Sequence, residues 1–281
     1  MQNQPPNYLD YSKREDDDTV QTTFRLHEIS KSEEALKLFK QGKLKRALSL
    51  IDEALESDGD DFQNWNVKAL ILNGLSEHDK SIECFERALN LNDSAEIRKN
   101  KANALYKFSK VTFFPEGDLD KAMRLIDDAL ECLPEGEDAS EYFFLKAEIF
   151  ESMGCPLETR LYYLKAEGEL EKANELSSQI EFLRASEDVL ITVSGTNFFK
   201  GLELFQKGMI LDLVKEPENE HDGDAIRIEF DGESVGYVAN NEYTVIEGTK
   251  SASEIANIIE ENQKAEVQFI LANQYVLARL I

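Results

Sequence analysis

Residues 42–60 read GKLKRALSLIDEALESDGD, and residues 117–138 read GDLDKAMRLIDDALECLPEGED. Each opens on glycine, with Leu two residues later, Ala five later, Ile nine later and Ala-Leu twelve and thirteen later. Between them, LSEHDKSIECFERALNLND (75–93) sets Phe85 and Ala88-Leu89 a period of 34 residues after Ile51 and Ala54-Leu55. Such a period predicts stacked helical hairpins. Small Ala47 and Ala122 let two helices approach, Ile51, Phe85 and Ile126 fill the gap between them, and Ala54, Ala88 and Ala129 meet the next hairpin.

The helical pattern covers residues 28–188. Trp65, Ala69 and Leu72 supply a large-small-large set on the helix that precedes the second of these segments. The pattern resembles the tetratricopeptide repeat (TPR). Four units begin near Glu28, Phe62, Glu96 and Ser140, and the last carries Ala147, Phe150, Gly154, Tyr163 and Ala166, with Thr159 where a small Ala is expected. Lys107 to Glu116 (KFSKVTFFPE) lengthens the turn of the third unit, and residues 168–188 read as a helix closing the stack. The resemblance implies a groove lined by the first helix of each pair, taking a protein or peptide. Its candidate peptide-binding residues here are Asn66, Asn73, Asn100, Lys101 and Lys107, with Ala104 also facing the groove. The basic stretch Arg98, Lys99, Lys101, Lys107 and Lys110 has two readings, a solvated face balanced by carboxylates or a docking point for an acidic group.

The flanking composition limits the function. The 281 residues carry a formal net charge of −25, a field that repels phosphate backbones and anionic membranes. Residues 1–27, with Pro5-Pro6 and the acidic run from Glu15 to Asp18, predict a disordered acidic arm. No apolar run is long enough to span a membrane, and the first residues lack a secretory pattern, so a cytoplasmic protein is expected. Cys84, Cys132 and Cys155 are too scattered for a disulfide framework or a zinc site. There is no phosphate-binding glycine loop, nucleophile elbow or zinc-protease helix, and His27, His78 and His221 stand far apart. A non-enzymatic chain without cofactor or metal is the expectation. Asp222-Gly223-Asp224 beside Glu218 and Glu220 hints at calcium but lacks the full loop spacing.

Past Asp188 the period drops to two. ITVSG, MILDLV, AIRIEF, SVGYV, EVQFILA and YVLARLI predict six strands, with Asp231-Gly232 as a tight hairpin turn and Asn273-Gln274 as a second. A helix over 251–262 should lay Ile255, Ile258 and Ile259 across the sheet. The fold class is therefore multidomain α + β, a helical solenoid (28–188) followed by a small β-barrel (189–281).

Three ordered pieces of that second part, VSGTNFFKG (193–201), LVKEPENEHDGDAI (213–226) and VGYV (235–238), resemble the HIRAN domain. This implies an OB-like barrel that grips the 3′ end of single-stranded DNA. By that resemblance Phe198 and His221 sandwich the terminal base, Asp222 accepts the 3′ hydroxyl, and Asn197 stands where DNA-binding members carry arginine. Phe199 and Asn219 complete the candidate nucleic-acid-binding set. Two alternatives stand beside this reading: Phe198 and Phe199 fill the barrel core, and Asn219 and Asp222 shape their loop. From Leu190 onward there are seven Lys/Arg against sixteen Asp/Glu, which favours a rival in which the barrel binds a protein.

Overall fold

The computed structural model describes residues 31–281, which form two compact units, one ending at Met153 and one spanning Gly154–Ile281. The predicted arm, Glu28 at the start of the first repeat, and His27 lie outside the described residues.

The first unit is helical throughout: α1 (31–40), α2 (Leu44–Ser57), α3 (Phe62–Gly74), α4 (His78–Leu91), α5 (Ala95–Val111), α6 (Leu119–Cys132) and α7 (Ser140–Ser152). Local chemistry sets the helix starts. Asp61, Ser94 and Asp118 each accept a hydrogen bond from a backbone N–H in the first turn of α3, α5 and α6. The positions fixed by the repeat are buried: Ala47, Ile51 and Ala54 in α2, Phe85 and Ala88 in α4, Ala122, Ile126 and Ala129 in α6. Ser81 takes the small position in α4, and its hydroxyl donates to the Ala69 carbonyl on α3 at 2.8 Å. Ser109 on α5 does the same to Ala122 on α6 at 2.7 Å. A helix pair this close buries a hydroxyl only with a partner for it.

The lengthening at Lys107–Glu116 is not simply a longer turn. Residues to Val111 continue α5, because Phe108 and Ser109 are buried against the neighbouring helices, and only Thr112–Glu116 departs from α geometry, as a π turn. Gly117, at φ 74°, ends it in the left-handed region.

The second unit starts well before the change of period at residue 188. Two helices, α8 (Pro156–Ala166) and α9 (Leu170–Ala185), precede a closed antiparallel barrel of β1 (Leu190–Ser194), β2 (Ile210–Lys215), β3 (Ile226–Phe230), β4 (Glu233–Val238), β5 (Lys264–Leu271) and β6 (Tyr275–Leu280). Strand order is β1-β4-β3-β2-β5-β6. Inside it pack Ile191, Val193, Leu211, Leu213, Ile226, Ile228, Val267 and Val276. On the outside, Leu190, Leu271 and Leu277 join Leu157, Leu161, Leu164, Leu176, Ile180 and Leu183 of α8 and α9 in a second cluster. Residues read as the second half of a fourth repeat and as a closing helix thus cover one flank of the barrel. The change of period marks where helix gives way to strand, not where packing changes partners.

Two local expectations need correction. α10 spans only Ala252–Ile255, started by a capping box between Ser251 and Glu254; Ile255 and Ile259 enter the core, while Ile258 is exposed. The β5–β6 turn centres on Ala272 and Asn273, both at positive φ, rather than on Asn273-Gln274. Asp231-Gly232, with φ of 52° and 78°, is the primed turn expected. No helix among the described residues is long and apolar enough to cross a membrane.

Gly236 shows why the VGYV piece holds a glycine. A Cβ there would meet the Ser194 carbonyl oxygen and Val193 Cγ1, both at 2.8 Å, so β4 lies too close to β1 for any side chain. Gly236→Ala is expected to destabilise the unit by about 1–3 kcal/mol, the usual range for overpacking, read as a lower urea midpoint.

Candidate functional site

The site begins where β1 ends. Gly195, at φ 72°, turns the chain into a short 3-10 turn, Thr196–Phe198. Phe198 N–H donates to the Gly195 carbonyl at 2.9 Å, and the N–H groups of Phe199 and Gly201 both donate to that of Thr196 at 3.0 Å. Thr196 is buried, and the turn drives the side chains after it outward: Phe198 is 90% exposed. Phe199 is 38% exposed, its ring 6.2 Å from that of Tyr237. Neither phenylalanine fills the barrel core. Asn197 is exposed beside them.

Tyr237 connects this turn to the acidic loop. Its hydroxyl donates to Glu216 at 3.3 Å, and Glu216 also accepts from Asn219 Nδ2 at 3.0 Å and from Arg227 Nε at 2.5 Å. Arg227 reaches Glu229 and, at 3.1 Å, Ser234 Oγ as well. Asn219 Oδ1 accepts from the backbone N–H of His221 at 3.0 Å and of Asp222 at 3.2 Å, which shapes the loop as the sequence alternative held. Asp222 Oδ2 accepts from Asn240 Nδ2 at 2.7 Å, and its Oδ1 accepts the Asp224 N–H at 2.9 Å. Asn240 Oδ1 accepts the Ser253 N–H at 2.8 Å, tying the loop to the start of α10. Phe199, Asn219 and Asp222 thus belong to one connected strip. His221 joins it through its backbone, and its side chain is exposed.

Sequence reasoning missed Tyr237, Glu216 and Asn240. Strand alternation alone would put Tyr237 on the same face as Val235. The register shift in the β3–β4 ladder leaves Val235 unpaired and turns Tyr237 outward, opposite Arg227. Tyr243, 83% exposed, lies in the loop after Asn240.

The electrostatics are distinctive. Of the seven cations from Leu190 onward, Lys200 pairs with Glu233, Arg227 with Glu216 and Glu229, Lys250 with Glu254, Lys264 with Asp212, and Arg279 with Asp188 and Glu266. Lys215 donates to the Ile259 carbonyl at 2.8 Å. Of these seven cations, all among the described residues, only Lys207 has no such partner. Hydrogen bonds from Asn219, then Arg227 and Tyr237, hold the Glu216 carboxyl below its ordinary value of 4.5; Lys250 and the Ser251 backbone hold that of Glu254 at about 2. Both carboxyls are depressed in the folded state. Their stabilisation is complete above about pH 4.5 and is lost as pH falls through the folded values. The urea midpoint of this unit should fall over that window, and Glu254→Gln should flatten its lower part.

The repeat groove is divided. Asn100 Nδ2 donates to Asn66 Oδ1 at 3.2 Å, so residues one period apart touch on neighbouring first helices. Asn73 Oδ1 is buried with no hydrogen-bond partner, and Lys107 is exposed. Tyr142 donates to Asn103 at 2.9 Å, and burial pushes its hydroxyl up to about 12. Lys101, in contrast, does not join the asparagine face. One residue further along the helix is about 100° further round it, and Lys101 meets Glu86 of α4 at 3.3 Å in a cleft of about 590 Å³ that Arg98 and Cys132 also line. Ala104, expected to face the groove, is buried. Arg98 and Lys99 pair with Asp93 and Glu137, so this part of the basic stretch is a balanced face. Among the described residues no group of three or more His, Cys, Asp or Glu is placed to hold a metal ion.

No curated protein sequence matches the chain. Among solved structures, one of MamA is similar over 60% of this chain and 99% of its own, at 18% identity and a TM-score of 0.41. YrrB, described as a TPR protein with an unusual peptide-binding site, is similar over 57% and 97%, at 15% identity and a TM-score of 0.31. The type IV pilus biogenesis factor PilW is similar over 55% and 71%, at 24% identity and a TM-score of 0.34. The family match is confined to the second unit and stops short of α10, β5 and β6, yet includes all three ordered pieces: residues 186–246 match the HIRAN domain.

Proposed function

We propose that the chain is a non-enzymatic, cytoplasmic adaptor whose repeats take a protein or peptide and whose barrel takes the free 3′ end of single-stranded DNA. The observation that carries the second half is the Phe198 ring, held in solvent by a hydrogen-bonded turn on the strip that includes Asp222. An exposed phenyl in a fixed backbone is a platform for a base, and a half-buried carboxylate with spare lone pairs can accept a hydroxyl. Asn66, Asn100 and Asn73 offer amides to an extended peptide in the groove.

Because the barrel's cations are engaged, binding should depend on stacking and hydrogen bonds more than on phosphate contacts. Fluorescence titration with 5′-labelled oligonucleotides tests this. A free 3′ end should bind, a blocked one should not, and Phe198→Ala should weaken binding roughly 10- to 100-fold, the range for one lost stacking contact. The slope of log K against log salt should be shallow. No binding at low salt would sink the reading.

The same paired cations favour a second reading, in which the barrel recognises a protein. Asn197→Arg separates the two: it should raise affinity and steepen the salt slope if a phosphate passes that position, and do neither if the ligand is a protein.

A further inference from the structure

The second unit has its own unassigned cleft, on the flank where α8 and α9 meet the β5–β6 hairpin. It has a volume of about 80 Å³ and is lined by Arg160, Lys172, Gln179 and Asn273 over a floor that includes Leu164, Leu176 and Ile270. Arg160 is exposed and makes no ion pair among the described residues. Lys172 pairs only with Glu169, one turn away on the surface, at 3.1 Å. One carboxylate, Glu175, also lines the cleft, with Gln179 Nε2 3.5 Å from its Oε1. Two cations and two side-chain amides therefore line the cleft beside one acid, Glu175, and only Lys172 has a second, Glu169, at its outer edge, in a chain whose net charge is −25. The cleft suits a compact oxyanion, which a guanidinium binds through paired N–H donors while amides take the remaining oxygens.

Position adds to composition. β6 lies beside β1, with Val276 opposite Val193. The turn carrying Asn273 and the turn carrying Phe198 therefore leave the same rim of the barrel on adjacent strands, which are about 4.8 Å apart. We infer that this cleft is a phosphate site, and that it seats a backbone phosphate of the strand whose end stacks on Phe198. The charge that the barrel lacks is then supplied by the helix pair packed on it. The strand assignment rests on the function proposed above; the oxyanion site itself does not.

Two measurements on the full chain separate these claims. Titration with inorganic phosphate, followed by the side-chain amide resonances of Gln179 and Asn273, should give saturable shifts that disappear in Arg160→Glu. Both cations are exposed, so Arg160→Glu and Lys172→Glu keep the fold. Titration with 5′-labelled oligonucleotides bearing a free 3′ end should show about tenfold weaker binding in Arg160→Glu, as expected for a lost charge-assisted contact. The salt slope should flatten by about 0.7. Absence of saturable phosphate shifts overturns the site. Phosphate shifts with oligonucleotide binding unchanged in Arg160→Glu overturn the strand assignment and leave a free phosphate ester as the ligand. Phosphate shifts in a wild-type chain that binds no oligonucleotide support the site and sink the nucleic-acid reading.

Discussion

A chain begun at Val189 is expected to lose the cooperative fold of the barrel, whereas one begun at Gly154 keeps it. The reason is the outer cluster. Leu190, Leu271, Leu277 and Ile246 are buried, and on that flank their partners are Leu157, Leu161, Leu164, Ala173, Leu176, Ile180 and Leu183. Phe182 of α9 adds an edge-on ring contact to Phe269 of β5, with centroids 5.6 Å apart. Gly248 carries the chain so near α9 that a Cβ would lie 3.1 Å from the Leu183 carbonyl oxygen. Removing α8 and α9 returns four large apolar side chains of the barrel to water. At about 1.5–3 kcal/mol each this is roughly 6–12 kcal/mol, comparable to the whole stability of an ordinary domain. Urea unfolding of the two fragments, followed by far-ultraviolet circular dichroism, decides the matter. A fragment of residues 189–281 that unfolds cooperatively, and within about 2 kcal/mol of residues 154–281, would show that the helices merely rest on the barrel.

That boundary illustrates what the chain discloses before it folds. Periodicity reports the conformation of a segment, so the repeat positions and all six strands were legible. It does not report the partner of a segment. The apolar faces of α8 and α9 read equally well as the end of a solenoid or as a cover for a barrel. The extension of α5 was hidden because Lys107–Glu116 has neither a stop signal before Pro115 nor a repeat to follow. Ala272 at φ 51° runs against propensity, which favours asparagine, so propensity alone points one residue too far along. At the site, the residues named by resemblance fell on one strip or beside it, but the sequence left open whether Phe198 points in or out. The hydrogen bonds to Gly195 and Thr196 decide that. Tyr237 and Asn240, which join the parts of the strip, act through a bulge and a long-range contact that no local pattern encodes.

Phe85→Ala is expected to cost the first unit about 3–5 kcal/mol, the range for deleting a fully buried aromatic ring. Phe85 is fully buried among Ala69, Leu72, Ala88, Ile97 and Ala104, so it touches three successive helices, α3, α4 and α5. No neighbour can swing into the gap cheaply, because Ser81 fixes α4 to α3 through the Ala69 carbonyl and three of the five residues just named are alanines. The chain carries its own reporter. Trp65, its single tryptophan, packs at the edge of the same cluster, with its indole N–H on the Gly59 carbonyl at 2.7 Å and Arg87 4.7 Å above its ring. Tryptophan fluorescence therefore follows this unit and not the barrel. Its urea transition should move to lower concentration in Phe85→Ala, while Phe114→Ala, at a side chain 78% exposed, should leave it within about 0.5 kcal/mol. The Asn66–Asn100 contact depends on the same packing, since α3 and α5 are held together around this ring. A peptide bound in the groove should thus be lost with Phe85 and kept with Phe114. Equal effects of the two substitutions on the fluorescence midpoint would mean that the period of 34 residues marks sequence likeness without a shared core.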